Sequence, residues 1–157
     1  MSSMSAIAYR QACKSDIPAM ARLRSLEWGE ENYWRNRIDG YMDCKFHPQH
    51  GLKQRVVFVA VQTNFMVGFV AGHLTRRNDC DGELEWINVI PSRRGSGVAL
   101  ELLRRLAEWF AEHGARRICV DVDPANTAAR RFYTKHGAGD LNRHWLVWDD
   151  ISVVLAS

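Results

Sequence analysis

At 157 residues, with 46% hydrophobic and 25% charged side chains, the chain has the size and composition of one soluble globular domain, and intrinsic disorder is excluded. Its formal net charge of +3 is too small to indicate nucleic acid, although it suits a ligand bearing several phosphates. Cys13, Cys44, Cys80 and Cys119 are scattered and include no pair at metal-ligand spacing, so neither a disulfide framework nor a zinc site is expected and a reducing cytoplasm is the default compartment. There is no uninterrupted apolar segment near the N-terminus and no run of about 18 apolar residues, so neither a targeting signal nor a membrane span is expected. One domain over residues 1–157 is the expected organisation.

In chain order, alternation in AIAYRQA predicts a first strand, and KSDIPAMARLRSL a first helix with Ser15 as N-cap and Asp16 and Pro18 in its first turn. EENYWRNRIDGYM places Trp34, Ile38 and Tyr41 on one helical stripe, and DCKFHPQHGLKQ reads as loop. Two strands, about Val56 to Gln62 and Val67 to Leu74, form an antiparallel hairpin around Thr63-Asn64. A turn at Asn78 to Gly82 leads into a fourth strand, ELEWINV; a helix from Gly97 to His113, stopped by Gly114, then crosses over to a fifth strand, RRICVDV. That crossover makes the fourth and fifth strands parallel. ANTAARRFYTKHG is a last helix capped by Asn126 or Thr127, and HWLVWDDISVVL returns as one or two strands. The fold class is α/β (α+β), a mixed central sheet flanked by about four helices.

VIPSRRGSGVALELLRRL joins the fourth strand to the third helix. The first amide groups of a helix have no intrahelical acceptor and carry the positive end of its dipole, so an anion can bind there. Gly95 and Gly97 allow close approach, and Arg93 and Arg94 add guanidinium forks suited to phosphate. A simple tight turn with solvated arginines would use the same residues. Neither a nucleotide-hydrolase phosphate loop nor a dinucleotide fingerprint is present, since Leu100 stands where the latter needs its third glycine.

Val89-x-Pro91 followed by Arg94-x-x-Gly97-x-Ala99 resembles the acyl-CoA-binding signature of the GNAT superfamily of N-acetyltransferases, Arg/Gln-x-x-Gly-x-Gly/Ala. NTAARRFYTKHGA, from Asn126 to Ala138, resembles the superfamily's second signature, with Ala138 where phenylalanine is common. The resemblance implies that the fourth and fifth strands splay and that the pantetheine arm of acetyl-CoA, the expected cosubstrate, lies between them. It implies that the pyrophosphate rests on Arg93, Arg94, Gly95, Ser96, Gly97, Val98 and Ala99, and that the Val89 amide polarises the thioester carbonyl. Asn126 is both a reasonable N-cap and, by the resemblance, a ligand of the pantetheine or phosphate region; Arg130, with Arg131, is within reach of the 3′-phosphate or simply solvated.

Attack by an amine needs a base, because an amine with a pKa of about 10.4 is mostly protonated at neutral pH. Glu83 and Glu85 alternate onto one side of the fourth strand, with Trp86 on the other. Glu85 is the expected base, directly or through water, with Glu83 an electrostatic helper; a solvated polar strand face is the plainer alternative. Tyr133 matches the family's general acid, and a core aromatic is its plainer alternative. Cys119, in an apolar run, is expected in the core and inert. The histidines form no ligand array, so no metal is expected.

Glu27, Glu30, Glu31 and Asp39, among aromatic residues, favour a cationic amine. The expected activity is direct acetyl transfer to a primary amine in a ternary complex; a non-catalytic acyl-CoA-binding sensor or regulatory module is the alternative. The expected partners are an amine-bearing acceptor, a small molecule ahead of a protein, and a second copy of the chain in a homodimer. Neither nucleic acid nor a membrane is expected: Arg104, Arg105, Arg116 and Arg117 only bracket a helix end, with no recognition motif.

Overall fold

The computed structural model describes residues 6–156. Its strands are β1 (Ala8–Gln11), β2 (Gly51–Gln62), β3 (Phe65–Thr75), β4 (Gly82–Val89), β5 (Ile118–Asp121), β6 (Gly139–Asp140) and β7 (Trp145–Trp148). Its α-helices are α1 (Ile17–Ser25), α2 (Glu31–Met42), α3 (Val98–Glu112) and α4 (Thr127–Lys135). No helix among the described residues is long and apolar enough to cross a membrane.

The strands form one sheet in the order β1-β2-β3-β4-β5-β7-β6. Every pairing is antiparallel except that of β4 with β5, as the crossover through α3 requires. Thr63 and Asn64 both adopt positive φ in the β2–β3 turn, the twist a two-residue hairpin demands. β2 begins at Gly51, so part of the segment read as loop is strand: Gly51 already pairs with Thr75, far from the local alternation that marks Val56 to Gln62.

Each face of the sheet carries a core. On one, Leu102, Leu103, Leu106 and Phe110 of α3 pack with Val70, Leu84, Ile118, Leu146 and, from α4, Tyr133. Each leucine so buried contributes roughly 1.5–3 kcal/mol. Gly72 and Gly82 let α3 lie close, since a Cβ would come within 2.7 Å of Leu106 at the first and would overlap the Phe110 ring at the second. On the other face Trp34, Ile38 and Tyr41 of α2 and Met20 and Leu23 of α1 cover Val57, Phe69 and Trp86, so the predicted stripe of α2 is core.

Three local expectations change. Asp16, not Ser15, is the N-cap of α1: Lys14–Asp16 is a turn of 3₁₀ helix leading into it, begun at Cys13, whose amide donates to the Asp16 carboxylate at 2.8 Å. Ile151–Ala156 is 3₁₀ helix where a strand was expected, because Asp150 accepts from the Ser152 amide and starts a turn after β7. The third concerns β4, where a bulge opposes Ala71 to Trp86 but Gly72 to Leu84, leaving Glu85 as the extra residue. The bulge resets the alternation, so Leu84 packs under α3 while Trp86 joins the α1/α2 core. Trp86 therefore shares the face of Glu83 instead of opposing it.

Candidate active site

β4 and β5 pair through Gly82↔Ile118, Glu83↔Cys119 and Leu84↔Val120, and their ladder stops there. The Ile90 amide donates to Val67 on β3, so by alternation the Val89 amide points to the opposite edge, into the widening gap. A cleft of about 1000 Å³ opens at this divergence. It runs from the α3 N-terminus, between β4 and α4, to the α1/α2 side of β4.

At one end Gly97, with φ +91°, is the N-cap of α3, and no side chain caps the helix. Gly95 has φ +78°, and a Cβ at either glycine would meet no atom within 4 Å. The left-handed backbone, not crowding, therefore calls for glycine, and the turn leaves the first amides of a 15-residue helix facing the cleft. Arg93 donates to Gln62 Oε1 at 2.7 Å, which fixes its guanidinium beside the turn, while Arg94 is exposed. Across the gap, Asn126 caps α4 by accepting from the Ala129 amide at 3.1 Å.

At the middle lie the proton-carrying groups. Glu85 is raised to about 7, chiefly because burial disfavours its charged form and secondarily because Glu83 is close; Arg37, Arg77 and Arg24 oppose the shift. Its Oε2 is buried with no hydrogen-bond partner. Glu83 is held between Arg77 Nε at 3.3 Å and His73 Nε2 at 3.5 Å, and His73 Nδ1 shares a 2.9 Å hydrogen bond with the Tyr41 hydroxyl. Tyr133, 5% exposed, lines the cleft from α4, and burial pushes its phenol well above the usual value, so it stays protonated.

Glu83, Glu85, Val89, Arg93, Arg94, Gly95, Gly97, Ala99, Asn126 and Tyr133 thus line one cleft. Three other expected residues stand differently. The Val98 side chain is in the core beneath α3, leaving only its amide for a ligand. The Ser96 hydroxyl donates to the Arg93 carbonyl. Arg130 donates to Asp140 at 3.1 Å and to the Arg143 carbonyl at 3.3 Å and is not among the residues that line the cleft. Cys119 is fully buried, with its pKa raised first by the neighbouring Cys80 thiol and then by burial.

His73, Glu83 and Glu85 present donor atoms within 4.8 Å of one another. His73 comes from β3 and the glutamates from β4, so no short sequence motif marks the group. The Arg77 guanidinium already supplies the positive charge beside Glu83.

The Acetyltransferase (GNAT) family model matches residues 20–138. The chain belongs to the GNAT family. An uncharacterised N-acetyltransferase of Mycobacterium tuberculosis is 32% identical over 84 residues, covering 54% of this chain and 53% of its own. Aminoglycoside N(6′)-acetyltransferase type 1 of Salmonella typhimurium is 29% identical over 92 residues, 55% of this chain and 63% of its own. The chain thus spans little more than half the length of these curated relatives. The fold is that of the PaiA N-acetyltransferase of Thermoplasma acidophilum, solved with coenzyme A, at a TM-score of 0.68 and 14% identity over 91% of this chain and 98% of that one.

In this GNAT chain several polar and aromatic lining residues carry no sequence signal for the site. Arg24, Arg37, Arg77, Gln49, Asn88 and Trp145 all line the cleft. They come from six separate places along the chain, and no spacing rule joins them. Of the acidic residues expected to draw a cationic acceptor, only Glu27 lines it. Glu31 is engaged by Arg35 at 3.4 Å and Asp39 by Lys14, on the outer surface of the helices.

Proposed function

We propose that the protein is an acetyl-CoA-dependent N-acetyltransferase that transfers the acetyl group directly to a primary amine in a ternary complex. The observation that carries this reading is the end of the β4–β5 ladder at Leu84↔Val120, which opens one cleft reaching from the α3 N-terminus to Glu85 and Tyr133. The uncapped α3 amides, the left-handed glycines and the unpaired inner edge of β4 suit a diphosphate followed by an extended, amide-bearing arm. The likeness to a coenzyme A-bound structure and to enzymes named for N-acetyl transfer supports it.

Acetyl-CoA supplies an acetyl group activated as a thioester. Glu85, with a pKa near neutrality, takes the proton from the acceptor ammonium, so that the amine lone pair is free to attack the carbonyl carbon. The Val89 amide donates a hydrogen bond to the carbonyl oxygen as negative charge gathers there, an effect worth several kcal/mol at a preorganised donor. Tyr133 gives its hydroxyl proton to the sulfur as the C–S bond breaks and regains one from the attacking nitrogen, which sheds its second proton as the neutral acetylated amide forms and leaves. Asn126 and the Arg93–Ala99 turn hold the rest of the cosubstrate. The acceptor is a small molecule, and the cytoplasm, where acetyl-CoA and reduced thiols occur together, is the setting.

The test mixes protein, acetyl-CoA and an amine panel and follows free thiol. Amine-dependent thiol release is expected. Tight coenzyme A binding with no release above background would instead make the protein an acyl-CoA sensor.

A further inference from the structure

The α1/α2 side of the cleft carries three arginines whose surroundings differ. Arg77 is committed: it faces Glu83, donates to the Gln49 carbonyl at 3.0 Å and lies 4.7 Å from the Trp145 ring centre. Arg24 is only partly committed. Its side chain is 14% exposed, it donates to Asn88 Oδ1 at 3.1 Å, and it approaches Glu27 no closer than 3.8 Å. Its Nε, like that of Arg77, is buried without a hydrogen-bond acceptor, but Arg24 has no carboxylate as close as Glu83 is to Arg77. Arg37 lies 3.4 Å over the centre of the Phe46 ring and forms no ion pair among the described residues. Stacking by one face leaves the edge of a guanidinium, where its N–H donors point, available to an anion.

The carboxylates nearby do not neutralise this group. Glu83 is taken by Arg77 and His73, and Glu27 is half exposed at the rim. Glu85 carries only part of its charge at neutral pH, since burial raises it to about 7. A buried guanidinium N–H without an acceptor is costly, and a bound carboxylate would satisfy it with a charge-assisted hydrogen bond. A polycationic acceptor would instead place its charges beside these guanidinium groups.

We infer that the acceptor is an amine that also bears a carboxylate, of the free amino-acid type, with Arg37 and Arg24 receiving the carboxylate while the amine faces Glu85. This rests on the acetyl-transfer reading above. The two anchors suit each other: the carboxylate fixes the orientation of the acceptor, so that its amine meets the base and not a guanidinium.

Thiol release from acetyl-CoA is measured with free amino acids, with the same compounds as carboxamides, with the decarboxylated amines, and with dipeptides beginning in aspartate or glutamate. Amino acids are expected to exceed their carboxamides by tenfold or more in kcat/KM. Arg37→Gln reduces that ratio toward one, mainly by raising KM for the acids, and Arg37→Lys retains part of it. Calorimetry on protein saturated with coenzyme A is expected to give the same ranking without turnover. Equal use of amino acids and carboxamides by the wild-type protein overturns this inference and leaves acetyl transfer standing. Acidic dipeptides outrunning every free amino acid would also overturn it, moving the carboxylate to a peptide. No release with any amine, while coenzyme A binds, brings down both readings.

Discussion

Glu85 owes its chemistry to where its carboxyl sits. Because its folded pKa of about 7 exceeds the 4.5 of a free side chain, activity that needs the carboxylate rises with pH through about 7 and then levels. Glu85→Gln is expected to lower kcat about 100-fold and to abolish that rising limb in a pH–rate profile. The same raised value has the opposite sign for stability. The folded state holds the proton more tightly than the unfolded chain, so wild-type stability falls as pH climbs from about 4.5 to 7. Thermal melts should therefore show Glu85→Gln gaining on the wild type at pH 8, with the gain fading toward pH 5. Tyr133→Phe removes the proposed proton donor but keeps the ring that meets Trp148 edge-on at 5.7 Å, so kcat is expected to fall about 10- to 100-fold with coenzyme A affinity kept. An unchanged rate would make Tyr133 a packing residue only.

The turn into α3 and the bulge in β4 do for whole elements what those side chains do for protons. Gly97 turns the chain through a left-handed conformation so that the helix begins with its amides toward the cleft. Gly97→Ala is expected to cost about 1–2 kcal/mol in chemical denaturation and to weaken coenzyme A binding tenfold or more, since a Cβ disfavours that φ. Retained affinity would show that the amides of α3 do not hold the diphosphate. The bulge at Glu85 puts Glu83 and Trp86 on one face and leaves Glu85, the proposed base, at the point where the β4–β5 ladder ends.

Taken together, the two cores hold β4 and β5 parallel at one end and leave them free to part at the other. A ligand that fills the gap binds only the folded state. Saturation at about 100 times Kd should then stabilise by about 2.7 kcal/mol. For a domain of this size that raises Tm by roughly 5–10 °C in a thermal scan with coenzyme A. No shift at millimolar coenzyme A would mean that the cleft does not take it.

The elements and the glycine turn at the start of α3 were legible in the chain because their causes are local. Thr63-Asn64 turns a hairpin, Asn126 caps a helix, and Gly95 and Gly97 bend the chain just before α3, each within a few residues. That Glu83, Glu85 and Tyr133 line the cleft was legible as well, the glutamates from strand alternation and Tyr133 by resemblance, because they lie inside or beside those same segments. What the amino acids in order could not reveal was the far wall of the cleft and the true direction of Trp86. A bulge arises from how β3 and β4 pair, which reverses a side chain without changing any local pattern. Arg24, Arg37 and Arg77 become neighbours of Glu85 only when α1, α2 and the end of β3 pack over β4. Local turn and cap preferences act over a few bonds and are written in adjacent residues, whereas charge clustering and burial depend on distance through space, which only the packed sheet and helices set.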